Sequence, residues 1–189
     1  DATMQKIARE MNLSETVFVL PPSDPTKALK RLRIFTPGTE LPMAGHPVVG
    51  TWNMLARLGV VAPPASGTGR VTIHQEIKLG ILPVEIDFVD NQPVKVTMTQ
   101  GTPSVGAALD EVALCARALS LSEEEIGGWD LPIVVASTDV PYQIIPVRDK
   151  AALSRIKLNY QALNEILKKV NDHAVYVITR ETHAPDAFV

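Results

Sequence analysis

Apolar positions recur along this chain at two different periods, and the alternation between those periods lays out its elements. Met4, Ile7, Ala8 and Met11 are spaced i, i+3, i+4, i+7 with Gln5, Lys6, Arg9 and Glu10 opposite them, which predicts a surface helix over residues 2–12. Thr16-Val-Phe-Val-Leu20 is β-branched and aromatic and is stopped by Pro21-Pro22, so it predicts a strand with Ser14-Glu15 at the joint. A second strand is expected from Arg31 to Thr36, closed by the turn signal Pro37-Gly38. The next helix, Pro47 to about Leu58, is ringed by Val48, Val49, Trp52, Met54, Leu55, Ala56 and Leu58. A helix apolar on nearly every side is expected to be buried on every side.

The period then returns to two. Val71, Ile73 and Ile77, then Val84, Ile86 and Phe88, then Val94, Val96 and Met98 form three runs separated by Lys78-Leu-Gly80 and Asp90-Asn-Gln-Pro93. They predict an antiparallel meander able to curl round the apolar helix. After Gln100-Gly-Thr-Pro103 helices are expected at about 108–119 and 122–127, the second opened by a Ser122/Glu125 capping box. Strands at Ile133 to Ser137 and Tyr142 to Val147, helices from Asp149 and Asn159, and a strand from Ala174 to Thr179 complete the pattern. The fold class is therefore α+β in two domains, 1–103 and 104–189, with no internal repeat standing out at the residue level.

Composition narrows the function classes. A net charge of −3 without charge blocks argues against nucleic acid or an anionic membrane surface as the main partner. Hydrophobic residues at 46% and charged residues at 21% are ordinary for a globular chain. One cysteine, Cys115, excludes an intramolecular disulfide framework, and no apolar run is long enough to span a bilayer, so a cytoplasmic setting is expected. The chain starts at Asp1 rather than Met, and Ala184-Pro-Asp-Ala-Phe-Val189 reads as a stretch cut in mid-course, so a longer polypeptide is expected.

Candidate chemistry concentrates at Gly45-His46-Pro47. Pro47 is expected at the first helical position with His46 as N-cap, leaving the amides of Val48, Val49 and Gly50 unpaired. Such an end attracts a carboxylate or phosphate and places the imidazole to exchange protons at neutral pH. A histidine that merely caps a buried helix is the plainer alternative. Glu15, at a helix-to-strand corner ahead of an apolar strand, is the candidate partner base, against the alternative of a solvated loop glutamate. Glu40 lies in a Pro-Gly-Thr-Glu-Leu-Pro turn and is expected to be structural or substrate-adjacent. His74 and Glu76 carry outward parity in a strand, and His173 and His183 lie near loops without ligand-spaced partners. Metal-ligand spacings, dinucleotide and P-loop glycine patterns and a serine elbow do not occur, so neither metal nor cofactor is expected. Cys115 falls on the expected helix carrying Leu109, Val112, Ala116 and Leu119 and is expected to be a small buried hydrophobe.

Four motifs in one order carry a resemblance: Leu13-Ser-Glu15-Thr-Val-Phe-Val-Leu-Pro, Arg33-Ile-Phe-Thr-Pro-Gly-Thr-Glu40-Leu-Pro-Met-Ala-Gly45-His46-Pro47-Val-Val-Gly50-Thr51, Gly80-Ile-Leu-Pro-Val-Glu85 and Val96-Thr-Met-Thr-Gln100. The chain resembles the PhzF-like phenazine biosynthesis family, related to diaminopimelate epimerase. The resemblance implies two similar domains, each a β-barrel or roll round a central helix, with the site in the cleft between them and the second domain incomplete here. It further implies a cofactor-free isomerase or epimerase acting on a small carboxylated metabolite, commonly as a homodimer. Glu15 and His46 fall on the catalytic positions, and Gly45, Pro47, Val48, Val49 and Gly50 on the substrate-binding helix start. Ala44 stands where the epimerases have a catalytic cysteine, which disfavours thiol racemisation. The family carries a further strand and a Gly-Asn-Pro segment ahead of the first helix, and an acidic Glu-Asp-Pro, Gly-Ser segment after the position of Val189. A binding relative that holds a small anion without turnover is the alternative from another class.

Overall fold

The computed structural model describes residues 2–138, 140–169, 174–182 and 184, and its chain divides into two compact units, Asp1–Gln100 and Gly101–Val189. His173, His183 and residues 185–189 lie outside the described residues.

In the first unit α1 (Ala2–Met11) ends at Asn12, whose φ of 49° is left-handed and whose N–H donates to Ala8 O. The chain then enters β1 (Thr16–Leu20), β2 (Lys30–Phe35) and the two-residue β3 (Glu40–Leu41) before α2 (Gly45–Arg57). The expected meander forms as β4 (Gly69–Ile77), β5 (Gly80–Val89) and β6 (Gln92–Met98), antiparallel throughout. Strand order is β1-β2-β4-β5-β6, with β2 antiparallel to β1 and parallel to β4, and β3 paired beside the end of β2. Helix α2 touches β1 and β6, the outermost strands of that order, so the sheet curls round it.

The alternation decides which side chains line that curl. Leu32 and Ile34 of β2, Ile77 of β4, and Val84, Ile86 and Phe88 of β5 are buried against Val48, Trp52 and Ala56 of α2. The helix is not wrapped on every side as its composition predicts: Met54 and Leu58 are largely exposed, because an open roll covers only one arc of a helix. One polar contact sits inside this core. Gln75 and Trp52 are both fully buried, and the indole Nε1–H donates to Gln75 Oε1 at 2.7 Å. A buried indole N–H without an acceptor is costly, so this bond fixes how far α2 slides and rotates on β4.

The second unit orders its strands β10 (Ala174–Ile178), β9 (Pro141–Pro146), β8 (Val134–Ser137), β7 (Ser104–Val105), with β10 and β9 parallel and the other pairs antiparallel. Helices α3 (Val112–Leu119), α4 (Lys150–Arg155) and α5 (Tyr160–Lys169) supply its helical part, and Cys115, Leu119, Ala152, Ala162 and Ile166 share a core with Ile145 and Val147. Helix α3 starts later than periodicity suggests, because the Leu109 N–H is bonded to Ile133 O and holds residue 109 beside the sheet. The expected helix at 122–127 is a single 3-10 turn, Glu123–Glu125, with the Ser122/Glu125 capping box in place. Asp149 caps α4 by accepting from the Ala152 N–H, and Asn159 does the same for α5 through Ala162. Among the described residues no helix covers the opposite sheet face. There Val105, Ala136, Tyr142, Ile144 and Tyr176 line an open groove of ≈ 370 Å³.

A short device occurs in both units, contrary to the expectation of no repeat. Ala8-Arg9-Glu10-Met11-Asn12-Leu13-Ser14-Glu15 is echoed by Ala116-Arg117-Ala118-Leu119-Ser120-Leu121-Ser122-Glu123. Ser120, at φ 55°, takes the left-handed position that Asn12 takes in the first unit. The two copies then diverge: Glu15 leads directly into a strand, Glu123 into the 3-10 turn.

Cys115 is fully buried as expected, and Gln143 Nε2 is within 3.6 Å of its sulfur. Burial, reinforced by Glu111, pushes its thiol up to about 11. Cys115 should therefore resist a thiol reagent at pH 7.5 in the native chain and react fully once urea unfolds it; a titration with Ellman's reagent reads both states. Replacing Trp52 by Phe leaves the Gln75 carbonyl oxygen buried without its donor and should lower stability by about 1–3 kcal/mol, measured as the shift of the urea midpoint.

Candidate active site

Glu15 occupies the corner between α1 and β1, and it shares the parity of Val17, whose side chain packs into the core beside α2. The start of α2 lies on that side. Glu15 Oε2 stands 3.0 Å from His46 Nε2, with the Glu15 side chain 17% exposed and that of His46 77% exposed. The contact has the separation of an ion pair without the direction of a hydrogen bond. Glu15 Oε2 is buried and has no hydrogen-bond partner. Buried polar atoms of that kind are rare enough to require a reason, and a site awaiting a ligand is one.

The helix start differs from the expectation in register. Ala44, extended at φ −151° and ψ 139°, is the N-cap, and no side chain caps the helix. Gly45 and His46 are therefore the first two helical residues, and Pro47 is the third rather than the first. His46 is not the cap. The amides of Val48, Val49 and Gly50, expected to be unpaired, lie far enough into α2 to bond to Ala44, Gly45 and His46 four residues back. Pro47 has no N–H and is buried, and Val48 belongs to the core. The helical residues whose amides are left open at this end are Gly45 and His46, next to the N-cap amide of Ala44. A Cβ at Gly45 would meet Gln100 Nε2 at 3.8 Å, an ordinary contact, so the Gln100 amide stands beside these donors.

Two residues of the framework behind the site went unrecognised as such in the sequence. The Thr16 hydroxyl carries no signal beyond its place next to Glu15. Arg33 does carry one, since it and Glu40 are opposite charges on the two arms of a Thr-Pro-Gly-Thr hairpin. In the fold Arg33 Nε donates to Glu40 Oε1 at 2.7 Å and a terminal Arg33 nitrogen to Oε2 at 2.8 Å, a bidentate pair with both partners mostly buried. That hydrogen bonding to Arg33 holds the Glu40 carboxyl below the ordinary glutamate range and raises the guanidinium. Glu40 is thus part of the framework. His74 is exposed, and Glu76 accepts from the Ser23 N–H and hydroxyl, tying the β1–β2 connection to β4. Among the described residues no cluster of three or more His, Cys, Asp or Glu could hold a metal ion. None of their helices is long and apolar enough to cross a membrane.

The chain matches the phenazine biosynthesis-like protein family, PhzC-PhzF, over residues 1–188, and it belongs to that family. It is similar to an uncharacterized isomerase of Mesorhizobium japonicum, 38% identical over 95% of this chain and 58% of the relative. It is also similar to the trans-2,3-dihydro-3-hydroxyanthranilate isomerase of Pseudomonas chlororaphis, 34% identical over 85% of this chain and 52% of that enzyme. Among solved structures, a Bacillus anthracis phenazine biosynthesis protein of the PhzF family superposes with a TM-score of 0.77 at 29% identity, over 98% of this chain and 58% of that one. A hydroxyproline epimerase from Agrobacterium vitis shares the fold at 14% identity, with a TM-score of 0.57. The chain thus spans a little over half the length of these relatives.

Because pairing with Arg33 lowers the Glu40 carboxyl, its contribution to stability is fully present above the ordinary glutamate range and disappears as pH falls through the lowered value. Glu40→Gln should therefore be less stable than the native chain at pH 7, and the gap should narrow toward pH 3. Urea midpoints of the two proteins at both pH values test the sign.

Proposed function

We propose that this family member is a cofactor-independent isomerase that moves a proton on a small carboxylated metabolite. The observation that carries this reading is Glu15 Oε2, buried without a hydrogen-bond partner and 3.0 Å from the His46 imidazole, beside a helix start that no side chain caps. Glu15 takes a proton from a carbon of the substrate, the electron pair shifts along the adjacent unsaturated system, and a proton is returned at a different carbon. Nothing is oxidised or reduced. The amides of Gly45 and His46 receive the substrate carboxylate, as helix N-termini receive anions. His46, close to Glu15 and open to solvent, relays the proton or steadies the charge that builds on the substrate.

Magnitudes are consistent with this division of labour. A positioned acid or base contributes about 10²–10⁴-fold, so the binding determinants have to supply orientation as well. The relatives named as trans-2,3-dihydro-3-hydroxyanthranilate isomerases make that anthranilate-type carboxylate the first probe substrate. A homodimer in the cytoplasm belongs to the same reading, from the family resemblance and the composition.

Incubating the protein with trans-2,3-dihydro-3-hydroxyanthranilate in D₂O should place deuterium on carbon, followed by mass spectrometry. Glu15→Gln should keep the fold, read by circular dichroism, and lose wash-in by at least about 10²-fold. Full wash-in by that variant would sink the assignment of Glu15. Binding without any label in the native chain would instead identify a protein that holds a small anion without turning it over.

A further inference from the structure

The reacting pair is carried by two segments that never hydrogen-bond to each other as strands. Glu15 precedes β1 and His46 follows β3, and both strands are held by β2. Phe35, the last residue of β2, is opposite Thr16 of β1 on one side and opposite Glu40 of β3 on the other. Thr16, Phe35 and Glu40 thus form one rung across three strands, each step about 4.8 Å wide. On the β3 side that rung is precarious, because β3 pairs with β2 through only Glu40 and Leu41.

Side chains on the sheet face away from α2 make up the difference. The Glu40 carboxylate takes the Arg33 fork. The same guanidinium lies 5.1 Å from the centroid of the Phe35 ring. Phe35 in turn meets Phe18 of β1 edge to face, centroids 5.6 Å apart and planes at 87°. A continuous run, Glu40–Arg33–Phe35–Phe18, therefore ties the His46-bearing segment to the Glu15-bearing strand across β2. Helix α1 closes the same end of the hairpin, with Gln5 Nε2 donating to Thr36 O at 2.9 Å and to Pro37 O at 3.1 Å.

We infer that Arg33 and Glu40, coupled through Phe35 and Phe18, are positioning residues that set the separation of Glu15 from His46. They lie on the reverse of the sheet from the reacting pair and act through β2 and β3, not by touching substrate. The inference rests on the proposed roles of Glu15 and His46 for its functional meaning. The geometric claim stands apart from those roles. A forked, mostly buried pair is the interaction type that holds a two-residue strand in one register, since Lys or Gln cannot reproduce both parallel bonds. Small displacements matter at such a distance, where about 1 Å of misplacement costs as much as 10²-fold in rate.

The test compares Arg33→Lys and Glu40→Gln with Arg70→Lys in the 189-residue chain. Arg70 makes a similar fork to Asp87 in the same unit, at 2.7 and 3.0 Å, but on exposed β4 and β5. The readout is the nuclear Overhauser effect between the His46 ring and the Glu15 side chain, assigned with His46→Gln, alongside the Trp52 indole N–H resonance as a check on the core. Arg33→Lys and Glu40→Gln should each weaken that effect at least about threefold while the Trp52 resonance stays in place, and their double variant should be no worse than either single. Arg70→Lys should leave it unchanged. Deuterium wash-in by the two brace variants should fall about tenfold with KM within about twofold. Full retention of the Glu15–His46 effect in Arg33→Lys and Glu40→Gln, or an equal loss in Arg70→Lys, would overturn the inference. Loss of the Trp52 resonance in both brace variants would also overturn it, by making the pair a general support of the fold. Failure of Glu15→Gln to stop wash-in strikes the isomerase reading alone, since the Overhauser comparison still reports the geometry.

Discussion

Strand β2 is the member on which the rest of the first unit depends, because both of its edges are spoken for. It pairs along one edge with β1, and along the other with β4 at its start and β3 at its end. A slip of one residue in any of these ladders would turn Leu32 and Ile34 out of the core and put Arg33 into it. Register is therefore enforced twice, once by apolar burial on the α2 side and once by the Arg33–Glu40 pair on the other. The corner that holds Glu15 and the loop that delivers His46 inherit their places from that strand.

Helix α2 needs a second constraint, since an apolar surface alone allows sliding and rotation. Trp52 supplies it through the buried bond to Gln75 on β4. His46 and Trp52 are six positions apart, about one and two-thirds turns, which leaves them roughly 120° apart round the helix axis. The indole can thus face the sheet while the imidazole projects at the open end. The second unit also buries a glutamine on its sheet. There Gln143 donates to Glu111 and contacts Cys115, and Lys169 holds the other oxygen of Glu111. Directional bonds inside otherwise apolar cores favour one packing over near neighbours of similar burial.

Legibility in the sequence followed the strength of the local pattern. α1 and the β4–β6 meander have long, clean periods, and they appear where Met4, Ile7, Met11 and the alternating Val71 to Met98 positions put them, while β1 follows its β-branched run and the Pro21-Pro22 stop. β3 and β7 are two residues long, too short for any period to register, and their partners lie elsewhere in the chain. The start of α2 was misplaced because Pro is favoured at the first helical position. It is tolerated at the third for the same physical reason, since that N–H also lacks an intrahelical acceptor. Glu15 and His46 were legible as residue types in suggestive places, but their 3.0 Å approach depends on the β2 ladders, which no local window contains. The echo of α1's end in α3 was hidden by substitution, Leu119 for Met11 and Ser120 for Asn12, although the left-handed helix end is kept.

What remains at the candidate site is a pair of unmet demands of opposite kind. An uncapped helix start forgoes about 1 kcal/mol that a side-chain cap would supply, and a buried carboxylate oxygen without a donor costs about 1–3 kcal/mol. The amides of Gly45 and His46 call for an acceptor, whereas Glu15 Oε2 calls for a donor. An inorganic anion would meet the first demand and aggravate the second by its charge. A water molecule could meet either, but it brings no charge for the helix start to stabilise. The proposed substrate, a small carboxylate with an acidic C–H, would answer both at once, its anionic group on the amides and its proton toward Glu15, which is why the proposal favours it over either.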